Sequence, residues 1–493
     1  MNAQSRLDHT RKTRLLAGAA VALTTAILVA SSGTASAGPC DIYASGGTQC
    51  VAAHSTTRAL FNAYNGPLYQ VKRSTDNATR DIGVLSAGGS ADAAAQDAFC
   101  AGATCLISII YDQSGRRNNL TQAPPGGFSG PAPGGFDNLA NATAAPITIG
   151  GRKAYGVFVA PGTGYRNNAT SGIATGSAPQ GVYMVAAGGH VNSGCCFDYG
   201  NAETNSRDTG NGHMGAVYFG TLCWFGFVVP GQCIGSGPWV MADLENGLFA
   251  GANGTNTNNT GRNSAFVTAM LKMNSTSYAI KDGNANSGGL KTDYSGPLPT
   301  TSGYTPLRLE GAIILGIGGD NSNGSAGTFY EGVMTAGFPS DATENAVQAN
   351  IVAAGYGQSA GGTRTGPIVS GVNGAKCLDN NNAAATPGNK VQMFDCNGFA
   401  AAQSWTVNTS GVGTITIDGG CLDITGNNSA NGTLVEWWTC NGGANQQWQA
   451  VNGQLVNPAT GKCLDDPASI TTNGIQLQIW ACSGAANQQW RLP

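Results

Sequence analysis

Paired acidic residues inside an otherwise apolar segment are the first sign of chemistry in this chain. Residues 239–245 read WVMADLE, and strand alternation puts Asp243 and Glu245 on one face with Trp239, while the residues between them face the core. At ~3.4 Å per residue the two carboxylates are ~7 Å apart along such a strand, so they should couple and the pKa of one or both should rise. The pair is therefore a candidate catalytic site. The alternative is a solvent-facing pair on an edge strand.

A third acid follows a buried strand. The apolar run 312–317 leads through Gly318 and Gly319 into Asp320. An acid that is approached through glycines at the mouth of a strand can be held close to a ligand. The alternative for Asp320 is an aspartate that stabilises a tight turn. Glu331, in the segment 328–332, is the reserve candidate.

The last 125 residues contain three copies of one pattern, which indicates a repeat architecture. Each copy starts with Cys-Leu-Asp, has a second cysteine 19 residues after the first and ends in Gln-x-Trp, and an aromatic follows the Asp by 15 residues. Successive copies begin 44 and 42 residues apart, and units of that length bury their apolar faces only against each other. An aspartate beside an aromatic face suits a sugar, because the carboxylate accepts from hydroxyls and the ring packs against C–H groups.

These three copies resemble the ricin-type β-trefoil, the fold of carbohydrate-binding module family 13. The resemblance implies these sugar-binding residues, copy by copy: Asp379 and Phe394; Asp423, Trp438, Asn445 and Gln446; Asp465, Trp480, Asn487 and Gln488. The first copy has Ala402 in place of the Asn and one extra residue, so we expect it to be the weakest site. The Gln and Trp of each Gln-x-Trp are expected to serve packing and turn hydrogen bonds more than the sugar. The ligand stays open between xylan and galactosides, and a trefoil that has lost binding is the alternative.

Composition limits the classes of partner and the compartment. Charged residues make up 10% of the chain, the net charge is −3 and there is no basic stripe, so nucleic acid is not an expected partner. Residues 1–37 combine a basic start, an apolar run and an Ala-Ser-Ala end, which are the features of a signal peptide. No later segment reaches membrane length, so we expect a secreted, extracellular protein that has no membrane segment when mature.

Cysteine usage agrees with export. All 14 cysteines lie beyond the signal peptide, an even number that suits disulfides in an oxidising compartment. Spacing favours one bridge in each repeat and three local bridges: Cys377 with Cys396, Cys421 with Cys440, Cys463 with Cys482, Cys40 with Cys50, Cys100 with Cys105, and Cys223 with Cys233. The remaining two, Cys195 and Cys196, are adjacent. There is no Cys-x-x-Cys pair, so no metal site is expected.

The chain is expected to form two bodies in an all-β fold. Residues 38–357 contain predicted strands at 104–111, 181–187, 239–245, 311–317 and 329–335, which favour a two-sheet β-sandwich. Helices are expected near 51–64 and at 341–354, where Ser340 can act as N-cap and Glu344 lies in the first turns. Residues 358–368 are Gly/Ser/Thr-rich and predict a linker, and residues 369–493 form the trefoil.

Five segments of the larger body closely resemble glycoside hydrolase family 54. They are residues 109–128, 195–204 (CCFDYGNAET), 237–249 (GPWVMADLENGLF), 310–324 (EGAIILGIGGDNSNG) and 327–341, and the similarity runs through 38–355. Members of that family are α-L-arabinofuranosidases with a concanavalin-like β-sandwich, so the resemblance implies that fold and that activity. It also implies a vicinal disulfide between Cys195 and Cys196, whose apolar surface packs against the furanose.

The resemblance implies roles for the matching residues. Glu245 matches the nucleophile, and Asp320 matches the general acid and base. The residues that match positions around the sugar are Cys195, Cys196, Trp224, Asp243, Asn246 and Gly319. This chemistry needs no metal ion and no organic cofactor.

The function expected from the sequence is that of a retaining exo-α-L-arabinofuranosidase. It would release terminal non-reducing arabinofuranose from arabinoxylan or arabinan as a monomer tethered by its trefoil. Cys223 and Cys233 bracket an insertion-like segment beside Trp224, so a furanosidase of other specificity, such as a β-D-galactofuranosidase, stays an alternative. From another class, the alternative is a non-catalytic two-domain lectin, against which the presence of both Glu245 and Asp320 argues.

Overall fold

The structure, a computed structural model, describes residues 37–223, 233–251, 254–300, 303–357, 363–408, 412–451 and 453–493. The expected signal peptide lies outside the described residues except for Ala37. Trp224 and residues 358–362 of the expected linker lie outside them as well. Within the described ranges, no helix combines the length and the apolar character that crossing a bilayer requires.

The larger body is a β-sandwich. Its strands in chain order are β1 Cys50–Ser55, β2 Pro67–Arg73, β3 Thr79–Gly83, β4 Cys105–Ile110, β5 Leu120–Gln122, β6 Pro146–Ile149, β7 Arg152–Tyr155, β8 Val157–Val159, β9 Tyr165–Asn167, β10 Gln180–Ala187, β11 Asp198–Ala202, β12 Gly215–Gly220, β13 Trp239–Asp243, β14 Leu248–Phe249, β15 Phe266–Met273, β16 Ser277–Asn284, β17 Ser287–Pro297, β18 Ala312–Leu315 and β19 Gly327–Ala336. Its helices are α1 Pro39–Ser45, α2 Ala93–Phe99 and α3 Asp341–Ala354, with a 3-10 turn at Pro133–Gly135.

Two sheets enclose the core, as the sequence predicted. Among the described residues, one sheet has seven strands in the order β1-β19-β10-β15-β16-β17, with β8 beside β19. The other has ten, in the order β14-β13-β12-β11-β18-β9-β5-β4-β2-β3. Alternate side chains of both sheets point into one core, among them Met184 and Leu271 from the first and Val217 and Ala242 from the second. Burial of a side chain the size of Val217, Met184 or Leu271 contributes about 1.5–3 kcal/mol.

The predicted elements are confirmed in part. The strands expected at 104–111, 181–187, 311–317 and 329–335 are β4, β10, β18 and β19. The helix α3 begins after Ser340, whose Oγ accepts a hydrogen bond from the Thr343 N–H at 3.1 Å. The helix expected near 51–64 is wrong, because Cys50–Ser55 is β1 and pairs with β19. Every residue of this short run is buried, and periodicity does not separate a strand from a helix in such a run.

The second body is built from short strands and turns. Its strands are β20 Thr363–Gly366, β21 Val369–Ser370, β22 Lys376–Asn380, β23 Asn389–Asp395, β24 Trp405–Asn408, β25 Val412–Gly413, β26 Ile415–Ile417, β27 Gly420–Ile424, β28 Val435–Thr439, β29 Trp448–Val451, β30 Gln454–Asn457, β31 Lys462–Asp465, β32 Ile475–Gln476, β33 Gln478–Ala481 and β34 Trp490–Arg491. It also has α4 Ala400–Gln403 and 3-10 turns at Asn381–Ala383, Thr425–Asn427, Ala444–Gln446, Pro467–Ser469 and Ala486–Gln488.

One apolar core joins the three repeats. It contains the Trp of each Gln-x-Trp, namely Trp405, Trp448 and Trp490, all buried. Each indole N–H donates to the backbone carbonyl of the Leu in its own Cys-Leu-Asp: Leu378 at 2.9 Å, Leu422 at 2.9 Å and Leu464 at 3.1 Å. The end of every repeat is thus fastened to its beginning, which confirms the packing role expected for these tryptophans.

Part of the expected linker is a strand. Thr363–Gly366 pairs antiparallel with Trp405–Asn408, so the segment belongs to the first repeat. None of its four residues is buried, which is why its Gly/Thr composition predicted a linker. Backbone hydrogen bonds to the neighbouring strand hold it in place.

All seven expected disulfides are present, and no described cysteine is free. The bridge in each repeat joins cysteines 19 residues apart. A cross-link stabilises a fold mainly by restricting its unfolded chain, and this effect grows slowly with the length of the closed loop.

We therefore expect the double substitution Cys421→Ala with Cys440→Ala to destabilise the trefoil. A loop of this length corresponds to a loss of about 3 kcal/mol in the free energy of unfolding. Chemical denaturation followed by tryptophan fluorescence measures it. An unchanged midpoint in an oxidised sample would contradict the expectation.

Candidate active site and trefoil sites

A pocket of about 420 Å³ lies against the ten-stranded sheet. In β13, Val240 and Ala242 point into the sandwich core, so Asp243 points to the opposite, outer face. The pocket is lined by Phe128, Ser193, Cys195, Leu222, Asp243, Glu245, Asn246, Gly318, Gly319, Asp320 and Ser322. Of the residues expected at the site, only Cys196 and Trp224 are not in this lining. Cys196 is fully buried, and Trp224 is outside the described residues.

A turn, not a strand, positions Glu245. The strand predicted to reach residue 245 ends at Asp243, and Glu245 and Asn246 have φ of 66° and 54° in the left-handed region. The Glu245 N–H donates to Asp243 Oδ1 at 3.1 Å, and Tyr304 OH donates to the Glu245 carbonyl at 3.0 Å. The two carboxyls therefore reach one pocket because the chain turns back between them.

Asp320 lies in a tight turn and in the pocket at once. The Gly318 N–H donates to the Ser322 carbonyl at 2.9 Å, and the Ser322 N–H donates to Asp320 Oδ1 at 2.8 Å. Asn323 Nδ2 donates to Asp137 Oδ1 at 2.6 Å and so fastens the far end of this loop. Burial raises the pKa of Asp137 to about 6. The turn and the ligand-facing position were alternatives for Asp320, and the structure combines them.

The vicinal disulfide forms part of the pocket wall. Cys195 and Cys196 are bonded to each other, and Ser322 Oγ donates to Cys195 Sγ at 3.6 Å. The two sulfurs and one Asp243 carboxylate oxygen lie within 4.8 Å of one another. Because both sulfurs are bonded in the disulfide, neither is a thiolate ligand for a metal ion. The group offers an apolar surface beside an acid.

Two further acids, Asp198 and Glu203, lie at the site and were not singled out in the sequence. Asp198 begins β11, Glu203 follows it, and both are fully buried. Among the side chains that the structure describes, the only hydrogen-bond partners of their carboxyl groups are other carboxyls, Asp243 for Asp198 and Glu245 for Glu203. The signal that could have found them is the one that found Asp243, a charged residue in a segment that is otherwise buried.

Gly319 is where two of these acids meet. A Cβ on Gly319 would lie 2.1 Å from Glu203 Oε2 and 2.8 Å from Glu245 Oε2. Any side chain at position 319 would collide with both carboxyls, which explains the glycine beside Asp320. Glu203 and Glu245 therefore approach the same point from two directions.

The acids at this site do not all carry a charge at neutral pH. Burial raises the pKa of Asp198, Glu203, Asp243 and Glu245 above the ordinary range. The charges of Glu203 and Asp243 raise the pKa of Glu245 further. Carboxyls this close must share protons, because two neighbouring anions in a buried place repel each other strongly.

Arg166 supplies the buried positive charge. It is 1% exposed, its Nη1 donates to the Gly319 carbonyl at 2.7 Å, and its Nη2 donates to the Glu203 carbonyl. Burial lowers the pKa of Arg166 to about 10, and the charges of Glu203, Asp320 and Glu245 oppose that shift. The guanidinium donates to backbone carbonyls of the loops that carry the acids, not to the carboxyl groups themselves.

Glu331, the reserve candidate, lies elsewhere. It is in β19 of the seven-stranded sheet, fully buried, and does not line the pocket. Arg58 donates to both of its oxygens through Nε and Nη2, and Tyr183 and Tyr356 donate their hydroxyls to it. All of these contacts serve packing between elements of the sandwich.

The trefoil repeats hold their aspartates alike. Asp379, Asp423 and Asp465 are buried. In each repeat the buried Gln of Gln-x-Trp donates through Nε2 to the carboxylate: Gln403 at 2.9 Å, Gln446 at 2.8 Å and Gln488 at 3.0 Å. The same nitrogen donates to a backbone carbonyl, and Oε1 accepts a backbone N–H. The glutamines fix the aspartate and its loop, which agrees with the turn role expected for them.

The second and third repeats have one more donor. Asn445 Nδ2 donates to Asp423 at 2.8 Å and Asn487 Nδ2 to Asp465 at 2.8 Å, whereas the first repeat has the buried Ala402 there. Their aromatic rings are open to a ligand, since Trp438 is 39% and Trp480 is 43% exposed. Phe394 of the first repeat is only partly exposed. This supports the expectation that the first repeat is the weakest site.

The repeats differ in the residue opposite the aspartate. Gln392 and Gln478 donate through Nε2 to Asp379 and Asp465 at 2.9 and 2.8 Å, whereas Glu436 lies opposite Asp423. Burial raises the pKa of Glu436, and the charge of Asp423 adds to that shift. The third repeat also borders a cavity of about 580 Å³, lined in part by Asp465, Trp480, Asn487 and Gln488.

Two family models match the chain. Residues 39–357 match the family described as "Alpha-L-arabinofuranosidase B, catalytic". Residues 364–490 match "Ricin-type beta-trefoil lectin domain". The first match covers more than half of the chain.

Similar proteins carry related names. An Aspergillus fumigatus protein named "Probable alpha-L-arabinofuranosidase B" is 66% identical over 333 residues, 67% of this chain and 64% of that relative. A Hypocrea jecorina "Alpha-L-arabinofuranosidase" is 66% identical over 330 residues, 66% of this chain and 65% of that relative. The chain therefore spans less than two thirds of the length of these curated relatives. A solved structure, "Crystal structure of arabinofuranosidase complexed with arabinofuranosyl-alpha-1,2-xylobiose", is 42% identical, covers 90% of this chain and 99% of that chain, and has a TM-score of 0.63.

The contacts of Glu331 predict a stability defect for Glu331→Gln and a normal active site. Removing one partner of a buried ion pair leaves Arg58 uncompensated and costs about 3–5 kcal/mol. Thermal denaturation should show a lower midpoint, while the catalytic rate per folded molecule stays within about twofold of the parent. A variant with an unchanged midpoint and a lost rate would instead put Glu331 at the chemistry.

Proposed function

This chain belongs to the alpha-L-arabinofuranosidase B catalytic family, and from that membership we propose that it is a retaining exo-α-L-arabinofuranosidase. The observation that carries the proposal is the single pocket of about 420 Å³ that Glu245 and Asp320 both line. Asp243, Cys195 and Asn246 line the same pocket and are assigned to the bound arabinofuranose. A lectin would have no need for two acids that turns hold in one pocket.

In the first step, Asp320 donates its proton to the glycosidic oxygen while the Glu245 carboxylate attacks the anomeric carbon. The bond to the leaving group breaks, and a covalent arabinosyl-enzyme forms on Glu245. Asp320, now ionised, then removes a proton from water, which attacks the anomeric carbon and releases Glu245. Two displacements at one carbon give net retention of configuration.

The pocket wall supports a furanose in the site. The Cys195–Cys196 disulfide offers an apolar surface next to the Asp243 carboxyl, so a sugar can pack its C–H face on sulfur and donate a hydroxyl to the acid. Leu222 lines the pocket beside Cys223, which is bonded to Cys233. The Cys223–Cys233 bridge therefore packs in the same apolar cluster as Leu222 and Cys196 at the pocket wall, and a β-D-galactofuranosidase activity is the second candidate on that observation.

We also propose that the trefoil tethers the enzyme to a plant cell-wall polysaccharide such as arabinoxylan or arabinan. Single sites of this size bind weakly, and two or three on one polymer gain through effective concentration. The related solved structure holds an arabinofuranosyl-xylobiose, which supports arabinoxylan as the substrate class. Seven disulfides support export to an oxidising, extracellular compartment, and we propose a monomer there.

Replacement of the nucleophile tests the activity and the site together. Glu245→Ala should lower kcat/KM on an aryl α-L-arabinofuranoside ~10³-fold or more, about 4 kcal/mol of barrier, because the covalent intermediate no longer forms. Added azide should rescue this variant with inversion, whereas it should rescue Asp320→Ala with retention, and NMR of the arabinosyl azide tells the two apart.

The parent enzyme is assayed on aryl α-L-arabinofuranoside and aryl β-D-galactofuranoside side by side. A parent active only on the second substrate would favour the galactofuranosidase, and one inactive on both would favour the lectin. A Glu245→Ala variant as active as the parent would show that the nucleophile is another residue.

The trefoil assignment predicts separable binding and catalysis. Trp438→Ala and Trp480→Ala should each weaken binding to insoluble arabinoxylan about tenfold or more, because each removes an exposed ring from a site. Phe394→Ala should weaken it less. Depletion assays on the polymer measure binding, and activity on the soluble aryl substrate is the control, which should not change. Equal losses for all three variants would contradict the ranking of the sites.

A further inference from the structure

We propose that Glu203 is a positioning residue that shares one proton with Glu245 and takes it when Glu245 attacks the substrate. The proposal rests on the proposed function, since it deepens the role of the same nucleophile. In balanced form, the O–H bond on Glu245 breaks, an O–H bond on Glu203 forms, and the freed oxygen lone pair of Glu245 bonds to the anomeric carbon. The proton returns to Glu245 when hydrolysis of the intermediate frees its carboxylate.

The first support is the isolation of Glu203. Its side chain is fully buried, and among the side chains that the structure describes, only the Glu245 carboxyl is within hydrogen-bonding reach of its carboxyl group. A buried anion without hydrogen bonds is costly, whereas a neutral carboxyl in the same place costs much less. Glu203 is therefore suited to hold a proton at the moment when the nucleophile must be ionised.

The second support is the meeting of the two carboxyls at Gly319. Because Oε2 of Glu203 and Oε2 of Glu245 lie 2.1 and 2.8 Å from the position that a Cβ on Gly319 would occupy, they face one another across that glycine. Glu203 is sealed from solvent, while Glu245 opens into the pocket. A proton shared by the two carboxyls therefore lies between an acid in the protein interior and an acid that faces the substrate.

The surrounding charges have opposite effects on the two acids: they favour the protonated form of Glu245 and the ionised form of Glu203. Around Glu245, the charges of Asp243 and Asp208 add to that of Glu203 and favour the protonated form. Arg166 binds the Glu203 backbone carbonyl, and its charge favours the ionised form of Glu203. Two carboxyls this close in a buried place hold one proton between them. Positive charge that develops at the anomeric carbon then draws negative charge onto Glu245, and Glu203 is the neighbour that can receive its proton.

Glu203→Gln and Glu203→Leu separate this role from packing. Gln retains an N–H donor for an ionised Glu245, so kcat/KM on the aryl α-L-arabinofuranoside should stay within a few-fold of the parent. Leu fills the space without a donor, so kcat should fall about 10- to 100-fold with a smaller change in KM. The acidic limb of its pH–rate profile should also move to higher pH by about a unit.

A second measurement does not depend on activity. Burial raises the pKa of Glu203 to about 7 in the folded protein, above its value in the unfolded chain. Its stabilising contribution is therefore complete below the unfolded pKa and is lost as pH rises through the folded pKa. The melting temperature of Glu203→Gln, which cannot ionise, should rise relative to the parent by about a few degrees between pH 5 and pH 8.

The matched control is Asp293→Asn. Asp293 is also buried and its pKa is also raised to about 7 by burial, but it lies in β17 of the other sheet beside Lys291. Its pH–rate profile should match that of the parent. Three results would overturn the proposal: a Leu variant as active as the Gln variant, a Gln variant as slow as the Leu variant, or a Gln-minus-parent melting difference that does not change with pH. An inactive parent would instead refute the proposed function, while the melting comparison would still test the shared proton.

Discussion

The chemistry of the active site depends on the burial of several carboxyl groups on one face of the ten-stranded sheet. Asp198, Glu203, Asp243 and Glu245 are all buried or nearly so, and one guanidinium, that of Arg166, lies among them. Because Arg166 donates to backbone carbonyls, the acids are not neutralised by direct ion pairs. Removing a lone carboxylate from water costs several kcal/mol, so protons have to be kept inside the cluster. The chemistry of the pocket therefore follows from which acid holds a proton, and only then from which acid faces the sugar.

The sandwich core stabilises this arrangement because it packs against the opposite face of the strand that carries Asp243. Val240 and Ala242 of β13 are buried in the core, and that packing fixes where Asp243 points. Glu245 and Asp320 then come from turns that follow core strands, and in each turn a backbone N–H donates to the carboxyl group of a nearby aspartate. The left-handed φ of Glu245 is a local cost that the core behind it can support. A strand therefore fixes the position of Asp243, and turns fix the positions of Glu245 and Asp320.

These facts also explain what the sequence could and could not reveal. Asp243 was predictable because a strand with a charged residue in an apolar pattern is rare, and α3 was predictable because Ser340 provides a helix start. A charge in a buried segment could have marked Asp198 and Glu203 as candidates, but only the arrangement of neighbouring strands shows that they join Asp243 and Arg166 at one site. The register that pairs β11 with β12, and β12 with β13, is what brings Asp198 and Asp243 to one face. The helix expected near 51–64 failed for the same reason, since only the partner strand β19 decides that the buried run Cys50–Ser55 is a strand.

The trefoil shows the same constraint at smaller scale. Its repetition made the core tryptophans and the aspartate of each repeat visible in the sequence, yet the surroundings of the three aspartates are not chemically equal. In the first and third repeats a glutamine opposite the aspartate donates a hydrogen bond to its carboxyl group. In the second repeat Glu436 takes that place, and two acids face each other across β27 and β28. Asp423 therefore lacks the glutamine donor that Asp379 and Asp465 have on that side. One residue in a repeated frame thus changes the electrostatic surroundings of the aspartate, since the charge of Asp423 raises the pKa of Glu436.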